Sequence, residues 1–490
     1  MKILFVARHF TYFRNFDSVV ARLAARGHRV HLAADRDEAI GGRELVERLA
    51  AEHPEVTIGS TPIQEPGRYT RLARALRLGL DYLRYCSPRY DAMPRLRQRA
   101  YERTPAFVLA LGRGPFQRPV QWILERVEEA VPRPAAVDEF LREHRPDLLL
   151  ITPLIELGSP QLDYVRAARA FGIRSVLCVG SWDHLSSKAL IRVPPDHLIV
   201  WNEIQRDEAA RFHGIPPDRV CVTGAQCFDR WFDRQPSCDR ASFCRSVGLP
   251  ADRPYLLYVC SALFRGSPPE AAFVQRWVRA IRQSQDSVLR EVGIVVRPHP
   301  QRMDEWRRVS LDGATLLGGN PIDERSRDEY FDSMYYSAAV VGLNTSALVE
   351  AAIVDRPVYT LLLPEFRENQ EGTFHFHYLL TVGGGFLHAA RTLAEHLDQL
   401  AGALAGRAAR SNHAFVERFV RPHGRSVEAT AIFADTVERL AAMPPPAPQP
   451  EPRWVWLLRP AVYALVAAAR VPLLDRIYWN PRKLRQAARA

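Results

Sequence analysis

The sequence predicts an α/β protein of two similar halves, each built on a parallel β-sheet. Two observations lead there. Short apolar runs recur along the chain, separated by longer stretches with helical spacing. The runs are near-continuous in Val, Ile and Leu, as in strands buried on both faces, rather than alternating with polar residues. At 490 residues the chain exceeds one ordinary domain, and 47% hydrophobic content is enough for two cores.

Residues 2–7 read as a first buried strand, followed by a loop at 9–13 and a helix to about Arg26, with Gly27 as its stop. Residues 29–33 read as the second strand, so the opening implies a right-handed crossover. The first loop lacks G-x-G-x-x-G and gives no dinucleotide fingerprint. Residues 68–129 read as helical and arginine-rich. Tyr69, Leu72, Leu76, Leu80 and Leu83 line one helix face, among Arg68, Arg71, Arg74, Arg77 and Arg84. That stretch predicts a solvated helix packed on its own domain, or a basic helix facing a membrane or acceptor. Strands follow at 147–152, 174–179, 197–201 and 220–224, with a helix over 203–213.

Polar and proline breaks between 226 and 253 mark a domain junction, which assigns 1–235 to the first domain and 250–443 to the second. Strands in the second are expected at 255–260, 293–296, 339–342 and 357–361. Helices are expected at 389–407 and at 411–443, broken near Pro422-His423-Gly424. Residues 444–452, rich in proline, read as a stiff extended linker. Residues 453–490 carry interfacial tryptophans, eight Arg or Lys and one acid, Asp475. They predict a basic amphipathic tail lying on an anionic membrane surface, or docked back on the protein. Pro460, Arg470 and Pro472 argue against a full span.

Two strand ends carry the densest chemistry. Arg297-Pro298-His299-Pro300 follows one apolar run, and Asn344-Thr345-Ser346 follows another and opens a helix containing Glu350. In an open parallel sheet, ligands bind outside the carboxyl ends of the strands. Cations and helix N-terminal amides suit phosphates, and a carboxylate suits ribose hydroxyls. Ser261, after the strand at 255–260, is expected to line the same crevice. On the other half, His9 and Asp183 sit at strand ends. Either is a candidate general base for an acceptor hydroxyl, or a loop-capping group.

The net charge is +11, and Lys2, Lys188 and Lys483 are the only lysines. An arginine-dominated cationic chain favours anionic partners. No zinc spacing or basic-aromatic ladder is present, so nucleic acid is not expected. No clear metal triad occurs. Seven scattered cysteines without C-x-x-C, and no secretory signal, predict reduced thiols in the cytoplasm.

These motifs resemble the GT-B glycosyltransferases, specifically the bacterial surface-carbohydrate group that includes CDP-glycerol glycerophosphotransferases, capsular Kdo transferases and polysialyltransferases. The resemblance rests on His299-Pro300 and on Ser346 followed by Glu350-Ala351. It extends to segments 181–185, 201–203, 223–229 and 419–424. It implies two Rossmann-like domains facing a central cleft, with His299 and Ser346 on the donor phosphates. The acidic acceptor-side motif of polysialyltransferases has no match.

The expectation is a transferase that moves a sugar or polyol phosphate from a nucleotide-activated donor, such as a nucleotide sugar or CDP-polyol. The acceptor would be a surface glycan or lipid-linked. The donor is substrate, and no cofactor or metal is expected. The enzyme would lie on the inner face of the plasma membrane. A UDP-GlcNAc 2-epimerase-like enzyme, which shares the fold, and a catalytically silent scaffold for surface-polymer assembly are the alternatives.

Overall fold

The computed structural model describes residues 1–468, apart from 36–40, 63–66, 113, 308, 320, 322 and 408–410. It divides into two compact units. One is Met1–Cys227 with the chain from Ala429 onward; the other is Phe228–Glu428. The last long helix of the second half, Ala429–Ala442, therefore belongs by its packing to the first unit.

The first unit holds a sheet of seven strands: β1 (Lys2–Ala7), β2 (Arg29–Ala34), β3 (Val56–Ser60), β4 (Leu148–Thr152), β5 (Arg174–Cys178), β6 (His197–Val200) and β7 (Val220–Val222). All pair in parallel, in the order β3-β2-β1-β4-β5-β6-β7. The period of two along a strand sends alternate residues to opposite faces. Ile3, Phe5 and Ala7 enter one core with Val19, Leu23 and Phe433. Leu4 and Val6 enter the other with Phe140, Tyr164 and Val165. Burial on both faces is why these strands read as continuous apolar runs.

The second unit repeats the plan with six strands: β8 (Tyr255–Val259), β9 (Gly293–Arg297), β10 (Thr315–Leu316), β11 (Ala339–Gly342), β12 (Val358–Leu361) and β13 (Leu387–Ala390). Their order is β10-β9-β8-β11-β12-β13, again all parallel. Each sheet grows outward from its first strand, then restarts on that strand's other side. The order reverses between β1 and β4, and between β8 and β11. Such a reversal opens a crevice at the carboxyl ends.

Three strands were not anticipated: β3, β10 and β13. β3 and β13 are edge strands with partly exposed residues, and β10 has only two residues, so their apolar signal is weak. The helix expected from 389 begins at Leu393 instead. Thr392 caps it by accepting from the Glu395 amide at 3.1 Å, which frees Leu387–Ala390 to pair with β12.

The proline segment 444–452 is not a free spacer, which corrects the sequence reading. It lies along the first unit. Proline offers carbonyls and no N–H, so it needs donors from elsewhere. Arg174 donates to the carbonyls of Leu440 (2.6 Å), Met443 (3.0 Å) and Pro444 (2.5 Å). Gln449 N–H donates to Arg169 O at 3.0 Å. Gly172, at φ +69°, leaves room for the strap, since a Cβ there would meet Pro446 O at 2.7 Å. The helix Arg453–Ala468 then packs on the helix Gln117–Ala130. The rest of the predicted tail, 469–490, lies outside the described residues.

Arg77 also departs from its expected solvated position. It is 2% exposed, with Glu128 at 2.7 Å and Asp163 at 2.6 Å, and it donates to Ser159 O at 3.0 Å. It ties the helices Arg68–Tyr85, Gln117–Ala130 and Leu162–Phe171 together. Arg77→Met would leave two buried carboxylates without their cation. A loss of about 3–5 kcal/mol is expected, measured by denaturant unfolding.

Candidate functional site

The reversal between β8 and β11 brings Ser261 and Asn344 together. The Asn344 amide donates to Ser261 Oγ at 3.1 Å. Ser261 is fully buried, and its own amide donates to Glu270 Oε2 at 2.7 Å. Asn344 Nδ2 donates to Asn369 O at 2.5 Å, which pins the loop after β11 to the 3-10 helix Pro364–Asn369. Gln370, also fully buried, donates from Nε2 to Leu343 O (3.2 Å) and Leu361 O (2.9 Å) and so joins the ends of β11 and β12.

Beyond Asn344 the helix Ala347–Ile353 begins. Ser346 is exposed and its side chain makes no capping bond. Thr345 Oγ1 takes the amide of Ala347 at 3.5 Å instead. Glu350 is half-buried and accepts a hydrogen bond from the hydroxyl of Tyr330.

At the end of β9, Arg297 is 6% exposed. Its guanidinium pairs with Glu329 at 3.2 Å and lies 4.8 Å over the ring of Tyr330. Gly318, at φ +82°, sits against this guanidinium, where a side chain would collide with it. Burial lowers the Arg297 pKa, and Tyr330 and Glu329 oppose that shift. Arg297 is thus held inside the unit and connected to Glu350 through Tyr330. His299, two residues on, is half-buried. Its Nδ1 accepts from the Gln301 amide at 3.2 Å. In the neutral ring the proton then sits on Nε2, which makes that nitrogen a donor.

His299, Ser261, Asn344, Thr345 and Ser346 therefore lie at one end of three neighbouring strands. The groups behind them were not visible in the sequence. Glu329 and Tyr330 hold Arg297 and Glu350, Asn369 holds Asn344, and Glu270 holds Ser261. Glu270 looks like an ordinary acid in a first helical turn.

In the first unit, His9 follows β1 with its ring 4.4 Å from that of Tyr12. Beside it Arg8 pairs with Asp35 (2.7 Å) and Glu156 (3.1 Å), which joins the loops after β1, β2 and β4. Asp183 follows β5. Its carboxylate takes hydrogen bonds from Ser181 (2.7 Å) and Ser187 (3.1 Å) and pairs with Lys188 at 3.0 Å. Its neighbour His184 is buried, which pushes that ring's pKa down to about 4 and keeps it neutral. Among the described residues no cluster of His, Cys, Asp and Glu is arranged to hold a metal ion.

The two units, each a parallel sheet with one reversal of strand order, define the class: the fold is GT-B. Solved structures agree. A glycosyltransferase from Rickettsia africae ESF-5 gives a TM-score of 0.51 at 9% identity, over 91% of this chain and 99% of that one. A Listeria monocytogenes protein provisionally assigned as a UDP-N-acetylglucosamine 2-epimerase gives 0.50 at 12% identity, over 91% and 98%. No family model matches the chain, and no curated protein matches it in sequence.

Glu270 supplies a pH test of the shell beneath Ser261. Burial pushes its carboxyl up to about 8, against stabilising bonds from the Ser261 amide and the Tyr258 hydroxyl (3.0 Å). Folding favours the protonated form. Stability from this group is therefore full below the ordinary carboxylate range and falls as pH rises toward about 8. Glu270→Gln removes the ionisation. Relative to wild type, its melting temperature should rise steadily from about pH 5 to about pH 8; a constant difference would place the titration elsewhere.

Proposed function

We propose that the protein is a transferase that moves a sugar or polyol phosphate from a nucleoside-diphosphate-type donor to a surface-glycan or lipid-linked acceptor. The observation that carries this reading is the polar set at the carboxyl ends of β8, β9 and β11, at the reversal of the second sheet. The Nε2–H of His299 and the hydroxyl of Ser346 would bind the donor phosphates. Glu350, steadied by Tyr330, would take the ribose hydroxyls, and Arg297 would position this pair from behind.

In transfer, the acceptor hydroxyl oxygen bonds to the reacting carbon or phosphorus, and the bond to the nucleotide phosphate breaks. Negative charge then grows on the leaving phosphate, where His299 and Ser346 would stabilise it. The acceptor proton passes to a general base, for which His9 and Asp183 are the candidates. The Asp183 carboxylate already accepts from Ser181 and Ser187 and pairs with Lys188. The reading places the enzyme on the cytoplasmic face of the membrane, with its C-terminal segment in contact with anionic lipid.

The test is a thermal-shift panel of UDP, CDP, CMP, GDP and ADP. One base should stabilise the protein selectively. His299→Ala and Ser346→Ala should each weaken that affinity by roughly ten- to a hundredfold, as expected for a lost hydrogen bond to a charged group. Unchanged affinity in both would refute the site. With protein groups supplying the donors, product formation should persist in excess EDTA; loss in EDTA with rescue by Mg²⁺ would refute metal independence.

A second reading is a 2-epimerase acting on free UDP-GlcNAc. The fold is as close to the Listeria protein as to the Rickettsia transferase. Turnover of UDP-GlcNAc with no acceptor present would select it. A scaffold would bind none of the nucleotides, and His299→Ala would change nothing beyond stability.

A further inference from the structure

The helix Arg453–Ala468 is turned opposite to an ordinary surface helix, whose polar face meets water. Val455, Val462 and Val466 face the unit, and Arg459 is turned inward to pair with Glu451. The outer face is apolar: Trp456 is 61% exposed, Leu457 80%, Tyr463 46% and Leu465 40%. Its one exposed charge is Arg453, at the start.

The helix it packs on has the same character. Gln117–Ala130 exposes Trp122 (62%) and Ile123 (51%), preceded by Phe116 (67%), and its one fully exposed charge is Arg118. Arg126 of this helix lies 5.1 Å over the ring of Trp454, which ties the two together. A third helix, Arg68–Tyr85, joins through Tyr69, whose ring lies 5.9 Å from that of Tyr463. Beside Tyr69 it exposes Arg68, Arg71 and Arg74. Every fully exposed charge on these three helices is an arginine. Their acids, Asp81, Glu125, Glu128 and Glu129, are buried or partly buried.

We propose that these three helices form one docking face for an anionic lipid bilayer. The aromatic and aliphatic side chains of both Gln117–Ala130 and Arg453–Ala468 enter the headgroup region, and the arginines around them meet the lipid phosphates. This deepens the membrane part of the proposed function and is independent of the transfer chemistry. It makes the membrane contact a joint property of Arg68–Tyr85, Gln117–Ala130 and the C-terminal helix Arg453–Ala468. The charge pattern favours lipid over a second copy of the chain. A two-fold interface sets the same patch against itself and would bring arginine against arginine. The same pattern matches anionic headgroups. Residues 469–490 extend the bias by composition, with six Arg or Lys and one acid. No described helix is long and apolar enough to cross a membrane, so the contact is interfacial.

The test is flotation of the full-length protein with vesicles of phosphatidylcholine, alone or mixed with phosphatidylglycerol. The double variants Trp122→Ser/Ile123→Ser and Trp456→Ser/Leu457→Ser change exposed side chains only, and unchanged melting temperatures would confirm folding. Wild type should bind the mixed vesicles and not the neutral ones. Each double variant should bind on the order of tenfold more weakly, since each loses buried apolar area. Wild-type binding by the Trp122/Ile123 variant would show that the tail acts alone and would overturn the composite face. Equal binding to both vesicle types would overturn its charge complementarity. A concentration-dependent dimer in sedimentation, abolished by either double variant, would give the face to a second copy. Nucleotide-induced stabilisation, recorded on the same samples, separates failure here from failure of the donor site.

Discussion

Parallel pairing with burial on both faces is the constraint from which the rest of this structure follows. A parallel strand cannot return by a tight turn, so every connection crosses the sheet as a helix or long loop. The helices cover both faces of the central strands. Phe5, Leu150 and Val176 are essentially inaccessible, as are Leu257, Val295 and Val340 in the other unit. Most of the polar chemistry gathers at the strand ends. At the reversal of the second sheet, just past paired β8 and β11, Ser261 and Asn344 meet.

Around that point the residues that would touch a ligand are few, and the ones that hold them are buried or partly buried. Glu270 fixes the amide of Ser261, Asn369 fixes the side chain of Asn344, and Tyr330 joins Arg297 to Glu350. Hydrogen bonds in such a low-dielectric setting are costly to leave unmade. The supporting shell therefore constrains the geometry as strongly as the exposed groups do.

Arginine carries much of the remaining architecture. Its planar fork satisfies several acceptors at once, which a lysine ammonium does less well. Arg77 gathers two carboxylates and a carbonyl, Arg174 caps the end of Ala429–Ala442 and anchors the proline strap, and Arg421 grips Asp229 through Nε (3.0 Å) and Nη2 (2.7 Å). A positive net charge read from composition is in part an internal scaffold. The arginines left outside, on Arg68–Tyr85 and Gln117–Ala130, border the apolar outer face of Arg453–Ala468.

The sequence by itself determined the strands buried on both faces, because continuous apolar runs such as 2–7, 148–152 and 255–259 admit little else in an α/β chain. It also determined which polar residues stand at strand ends, since His299 and Asn344 follow directly from where those runs stop. Edge strands such as β3 and β13 stayed hidden, because half-exposed strands carry only a weak apolar pattern. Only the tertiary structure decided that Arg77 and Arg297 are buried, that Asp183 is ringed by donors, and that the proline segment is a strap. Only the tertiary structure brought Trp122 and Trp456 onto packed neighbouring helices, from stretches far apart in the chain. The physical reason is that burial and ion pairing depend on partners distant in sequence, whereas strand periodicity is a local property of the chain.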